Sequence, residues 1–197
     1  MSASRRIIER VRQANLVDVP AVVRLFTSRA AGATPPMAHT PEDARAVLRL
    51  LLAHHALEEG KVWVAERDSK QLLAAAVWLP PGAQRAVDRF HELITRELDI
   101  APDLVALGRA DGEALALTEH GRRDWTLTVA SHNADPELLG RLLCPGLKEV
   151  ERRRCTVMAL ATSVFEVEQL ETLGFQETRT ALLPSGGEVW LTRWPRS

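Results

Sequence analysis

Residues 125–147 read WTLTVASHNADPELLGRLLCPGL, and the hydrophobic period changes once within them. Trp125 to Ala130 is a short apolar run rich in branched side chains, which predicts a strand. Asp135-Pro136 then supplies a capping carboxylate followed by a proline, the pair that opens helices. From there Leu138, Leu139, Leu142, Leu143, Leu147 and Val150 recur at three- and four-residue steps, giving one wide apolar stripe. Pro145 lies inside that stripe and removes one backbone bond, which predicts a kink.

Downstream, Thr156 to Ala161 is a continuous apolar strand of the kind buried on both faces. A helix is expected from about Phe165 to Leu173, stopped by Gly174. Phe175 to Leu182 and Val189 to Arg193 then flank the turn Pro184-Ser185-Gly186-Gly187, a closing hairpin. Upstream, Ile7 to Gln13 alternates as an edge strand. Asp18 and Pro20 predict a helix start, with Ala21, Val22, Leu25 and Phe26 on its apolar face. Thr40-Pro41-Glu42-Asp43 predicts a second start, and Gly60 the stop. Val62 to Glu66 and Leu72 to Leu79 form a hairpin ended by Pro80-Pro81. Residues 83–117 read as a variable helical insertion interrupted at Pro102 and Gly108. The order of elements predicts an α/β (α+β) fold, a mixed sheet with helices on both faces, in one domain spanning residues 1–197.

The 197 residues carry a formal net charge of −1, which gives no global attraction to nucleic acid or an anionic membrane. No apolar run reaches the roughly 18 residues of a membrane span, and Met1 to Arg6 lacks a secretory apolar region. Two cysteines, Cys144 and Cys155, are too few for a disulfide framework and read as reduced, buried thiols. A cytoplasmic location is expected on these grounds. His54 and His55 are adjacent and cannot both face one ion from a helix, and His39 and His91 have no partner in sequence, so no metal is expected.

In order and spacing these segments resemble the GNAT superfamily of acyl-CoA N-acyltransferases over nearly the whole chain. The resemblance is carried by Val62-Trp63-Val64-Ala65, by Ala75 to Gly82, and by Trp125-Thr126-Leu127-Thr128. Leu142 to Leu147 and Leu173-Gly174-Phe175 complete it. It implies a GNAT-like mostly antiparallel sheet whose fourth and fifth strands part to admit the pantetheine arm of acetyl-CoA, the co-substrate. Backbone groups of Thr128, Val129 and Ala130 would pair with that arm. The helix start, with Leu139, Gly140, Arg141 and Leu142, would face the pyrophosphate, and Ser163 stands where the family often has a cofactor-binding Asn.

Two departures follow from the same alignment. The family's phosphate-loop glycines fall on Glu137 and Leu139, so that Asp135 and Glu137 bring carboxylates to a phosphate seat; like charges at contact cost roughly 1–4 kcal/mol. The family's tyrosine general acid falls on Leu170, in a chain with no tyrosine. A thiol of pKa about 8.5 still leaves near neutrality. Asp124 and His132 are the candidate catalytic residues, with Glu119 beside them; Trp78 and His120 are the candidate acceptor-binding residues. Lys148 and Arg152 to Arg154 are cations for a helix end or for the CoA 3′-phosphate. The expected activity is acetyl transfer to a primary amine on a small molecule or a protein. The alternative is a catalytically degenerate GNAT-fold module for ligand or protein binding. Trp190 and Trp194 in the last hairpin offer a surface for a homodimer.

Overall fold

The computed structural model describes residues 9–29, 40–67, 71–83, 87–98, 102–118, 124–132 and 135–194. Strand β1 (Glu9–Gln13) leads through a 3₁₀ turn (Leu16–Asp18) into α1 (Val19–Arg29). Helix α2 (Pro41–Leu51) passes through a π-helical turn (Leu52–Ala56) into α3 (Leu57–Glu59). The hairpin β2 (Lys61–Arg67) and β3 (Leu72–Leu79) precedes α4 (Val87–Glu97) and α5 (Pro102–Thr118). Then come β4 (Asp124–Ser131), α6 (Pro136–Arg153), β5 (Thr156–Ala161), α7 (Val164–Thr172), β6 (Gln176–Leu182) and β7 (Glu188–Trp194).

The seven strands lie in the order β1-β2-β3-β4-β5-β7-β6. Only β4 and β5 are parallel neighbours, as the intervening α6 crossover requires. Alternation along the strands sends side chains to two cores. On one face Ala74, Ala76, Trp78, Trp125 and Leu127 pack under the leucine stripe of α6 and under Val167 and Leu170 of α7. On the other, Val62, Val64, Ala75, Val77 and Ala130 meet Val22, Val23 and Leu25 of α1 and Leu52 and Ala56 of the π turn. A smaller cluster, Val47, Phe90 and Ile94, joins α2 to α4, with Val105 of α5 against it.

Several starts and stops follow the local chemistry. Thr40 accepts from the Asp43 backbone while the Asp43 carboxylate accepts from the Thr40 backbone, closing a capping box. Gly174, at φ 89°, ends α7, with Gly174 N donating to Glu171 O and Phe175 N to Leu170 O. That pair of bonds is a Schellman stop, and Phe175 is driven fully into the core behind it. The Asp18 expectation needs correction. Asn15 is the capping residue, accepting from Val17, while Asp18 accepts from the Asn15 backbone and pairs with Arg12 at 2.7 Å. Gly108 does not interrupt α5, which runs unbroken from Pro102; α6 likewise continues through Pro145. Ile7 of the expected first strand lies outside the described residues. No helix among those described is long and apolar enough to cross a membrane.

Candidate active site

β4 is paired over different stretches on its two sides, Thr126 to Ser131 with β3 and Asp124 to Thr128 with β5. Its ladder to β3 continues to Ala74↔Ser131. The ladder to β5 ends at Thr128↔Leu160, so Val129, Ala130 and Ser131 extend past the last parallel pair. The sheet therefore splits at the C-terminal ends of these two strands. A cleft opens there between α6 and α7, lined by Val129, Leu139, Leu143, Leu160, Leu170 and Leu173, with Glu166 and Gln169 as its polar members. The Nε2 of Gln169 is buried and has no hydrogen-bond partner. Glu166 is already engaged, accepting at 2.7 Å from the Thr162 backbone.

The beginning of α6 is capped from within. Asp135 Oδ1 accepts from Glu137 N at 3.0 Å, Pro136 has no N–H to offer, and Leu139 N donates to Asp135 O. A carboxylate of the chain thus occupies the place where a helix start would receive an anion.

No family model matches the chain, and no curated protein matches it. Solved structures do. The Corynebacterium glutamicum protein named histone acetyltransferase HPA2 and related acetyltransferase superposes on 96% of this chain and 97% of its own. The TM-score is 0.60 and the identity 17%. Mosquito arylalkylamine N-acetyltransferase like 5b matches 94% of this chain and 99% of its own, at 0.58 and 19%. A Drosophila melanogaster polyamine N-acetyltransferase, which forms N-acetylagmatine, matches 94% and 99%, at 0.52 and 16%. The chain has the GNAT acetyltransferase fold.

Within the GNAT fold the expected site residues separate into two groups. Thr128, Val129, Ala130, Leu139, Gly140 and Ser163 come together around the split, although not all with free side chains. Ala130 points into the α1 core, and Ser163 Oγ is spent capping α7 through Glu166 N. Leu139 shows its side chain to the cleft, whereas Leu142 is fully buried under the sheet. Arg141 is exposed on α6. His132 is exposed just past the end of β4, its backbone N–H bonded to Leu73 O.

The second group is placed elsewhere. Asp124 stands at the opposite end of β4 from Ser131, about 23 Å away along a strand. Its carboxylate is occupied by Arg193 at 2.8 Å and by the Thr156 hydroxyl, and it ties β4 to β5 and β7 rather than facing the cleft. Trp78 is 1% exposed and lies against α6, where a side chain at Gly146 would overlap its indole. Packing, not pocket lining, is its position. Arg152 and Arg153 both bond Glu149, holding that carboxyl down to about 2, and Arg153 also lies over the Trp125 ring. His120, Glu119 and His39 lie outside the described residues. Trp190 and Trp194 are partly buried against the α6–α7 core, and Cys144 and Cys155 are half-buried and unpaired.

His55 is buried against Phe90, with ring centroids 6.3 Å apart, while His54 is exposed beside Glu58. Among the described residues no three of His, Cys, Asp and Glu converge as metal ligands. Sequence reasoning missed Gln169. Its signal was available: it is the position next to Leu170 and one turn from Glu166 and Leu173, so it shares the cleft-facing side of α7.

Proposed function

We propose that this chain is an acyl-CoA-dependent N-acyltransferase that moves an acetyl group from acetyl-CoA to a primary amine. The observation that carries the reading is that β4 runs on past its last β5 pair, Thr128↔Leu160, with an apolar cleft opening beyond it. A pantetheine arm is a chain of methylenes and amides. It suits a narrow apolar slot bounded by a strand edge, where amides pair as in an added strand. The unpartnered Gln169 Nε2 supplies one donor for a carbonyl of that arm. The chemistry asks little more of the protein. A neutral amine attacks the thioester carbon, the C–N bond forms as the C–S bond breaks, and the leaving sulfur ends as a thiol with the proton the amine gives up. His132, exposed at the cleft end of β4, is the base assigned to the incoming ammonium. The acetylation of amines such as agmatine by structural neighbours supports an amine acceptor.

The arm fits this chain better than the phosphates do. Asp135 capping α6, with Glu137 beside it, argues for weakened phosphate binding at the helix start. That observation also favours a second reading, a GNAT-fold module that binds a ligand or a protein without acyl transfer. Calorimetric titration with acetyl-CoA and with CoA decides between them. The acyltransferase reading expects a dissociation constant below millimolar for the wild type. It also expects an Asp135→Ser variant, which keeps a capping oxygen and removes the charge, to bind no worse. Absence of heat at millimolar acetyl-CoA rejects acyl transfer.

A further inference from the structure

The side-chain amide of Gln169 carries two N–H groups, and its buried Nε2 gives neither to the protein. One meets a carbonyl of the bound pantetheine arm. The second is a desolvated donor in an apolar wall, a costly group to leave without an acceptor. Buried donors of this kind persist where a ligand completes them.

The topology says which ligand atom comes within reach. Only Thr162 and Ser163 separate the end of β5 at Ala161 from the start of α7 at Val164. After α7 the chain enters β6 at Gln176, which pairs with Arg193, and Arg193 pairs in turn with Met158 of β5. Helix α7 therefore runs back along β5, from the end where β4 and β5 part toward the region where they are joined. Glu166 lies nearest the mouth of the cleft, and Gln169 is three residues, about 4.5 Å, further in. There it shares the wall with Val129, the first β4 residue beyond the ladder, and with Leu160, the last paired residue of β5. A linear arm entering from the open end stops at this point, because the strands close on each other at Thr128↔Leu160. Its leading end is the thioester.

We propose that the second N–H of Gln169 holds the sulfur of acetyl-CoA as it leaves. The inference rests on the acyltransferase reading and names the residue that manages the leaving group of that reaction. As the amine attacks, the C–N bond forms, the C–S bond breaks, and the bonding pair stays on sulfur. The amide keeps its own proton. It gives the thiolate a charge-assisted hydrogen bond until the proton released by the amine reaches the sulfur. Without that donor the anion would form among Leu139, Leu143, Leu170 and Leu173, where a bare charge is strongly disfavoured. Leu170 has nothing to offer, so the task falls to its neighbour.

CoA and desulfo-CoA are the probes, because they differ only in the thiol. A free thiol of pKa about 8.5 ionises between pH 7 and pH 9, and a site that favours the thiolate tenfold binds CoA about sixfold tighter at the higher pH, relative to desulfo-CoA. Calorimetry on the wild-type protein is expected to show that rise. Gln169→Leu should abolish or reverse it, since the cleft then excludes the anion, with a melting temperature no lower than that of the wild type. Gln169→Glu keeps the volume and replaces the donor by a carboxylate, so CoA should weaken relative to desulfo-CoA as pH rises. The other charged groups around the cleft are Glu166 on α7, Asp135 and Glu137 at the start of α6, and His132 past β4, while β5 carries none. All are common to the three proteins and cancel in the comparison. A wild-type ratio independent of pH, or a rise that survives in Gln169→Leu, overturns the proposal and leaves acyl transfer standing. Absence of binding by both probes rejects the acyltransferase reading and this assignment with it.

Discussion

Gln169 sits in the wall of the cleft with a buried Nε2 that no protein group accepts from. Its neighbour Leu170 occupies the place of a phenol in the resembling family and can donate nothing, so among the described residues the amide is the cleft lining's one side-chain hydrogen-bond donor. Two effects of opposite sign then attach to one substitution. Gln169→Leu removes a desolvated donor whose cost to the fold is about 1–3 kcal/mol, so the melting temperature should rise by a few degrees. The same change withdraws a neutral hydrogen bond from the bound arm, and KM for acetyl-CoA should rise by about tenfold, the upper end for one such bond. Thermal unfolding and steady-state kinetics on the same preparation check both. A side chain with only a structural role would move stability alone. A rise in stability without a change in KM would therefore remove Gln169 from the binding account.

At the scale of elements, α6 and β3 meet through one contact that admits no added atom. Gly146 faces the six-membered part of the Trp78 indole, and a Cβ there would overlap three of its ring atoms. Gly146→Ala gains about 1 kcal/mol of helix propensity. Against that, overpacking a rigid, fully buried ring costs roughly 1–3 kcal/mol or more, so the variant should be less stable by denaturant unfolding. Trp78→Leu introduced together with it should recover part of the loss, a coupling that a double-mutant cycle reads directly. This contact also shows what sequence could and could not supply. The leucine stripe of α6 is periodic and announces both the helix and its buried side. Gly174 and Thr40 carry their stop and start signals locally. The seating of Trp78 depends on a glycine 68 positions away, which no period encodes. The same holds for Asp124, whose partner Arg193 arrives from the last strand, and for Asp111, whose partner Ser185 comes from the last turn. Asp18 departs from the expected capping role for a nearer reason, since Asn15 offers the same capping chemistry three residues earlier and the 3₁₀ turn precedes the helix. Local signals therefore gave the elements, while the site depends on pairings between distant ones.

For the whole molecule, two buried contacts join the Arg-held Glu149 carboxyl in setting how stability responds to acid. His55 lies 3% exposed against Phe90, and desolvation lowers its pKa from 6.5, opposed in part by the charge of Glu59. The unfolded chain then binds a proton that the folded chain refuses, and stability falls as pH drops below about 6.5 toward the lowered folded value. Asp18 acts further down. The Arg12 hydrogen bonds lower its pKa from 3.8, although burial pulls the other way. Its contribution is complete above 3.8 and is lost as pH falls through the folded value. Denaturant unfolding from pH 8 to pH 3 should therefore show a plateau near neutrality, a decline beginning near 6.5, and a second decline below about 4.5, where Glu149 and then Asp18 take up protons. His55→Phe keeps a ring against Phe90 and removes the titration, so it should flatten the first decline and leave the second. Asp18→Asn should lower the plateau and reduce only the second, leaving the Glu149 part of it, since it removes the charge that Arg12 holds between β1 and the start of α1. A His55→Phe variant that declines from 6.5 as the wild type does would assign the first step to another group. The α2–α4 cluster would then not be the acid-sensitive part of the fold.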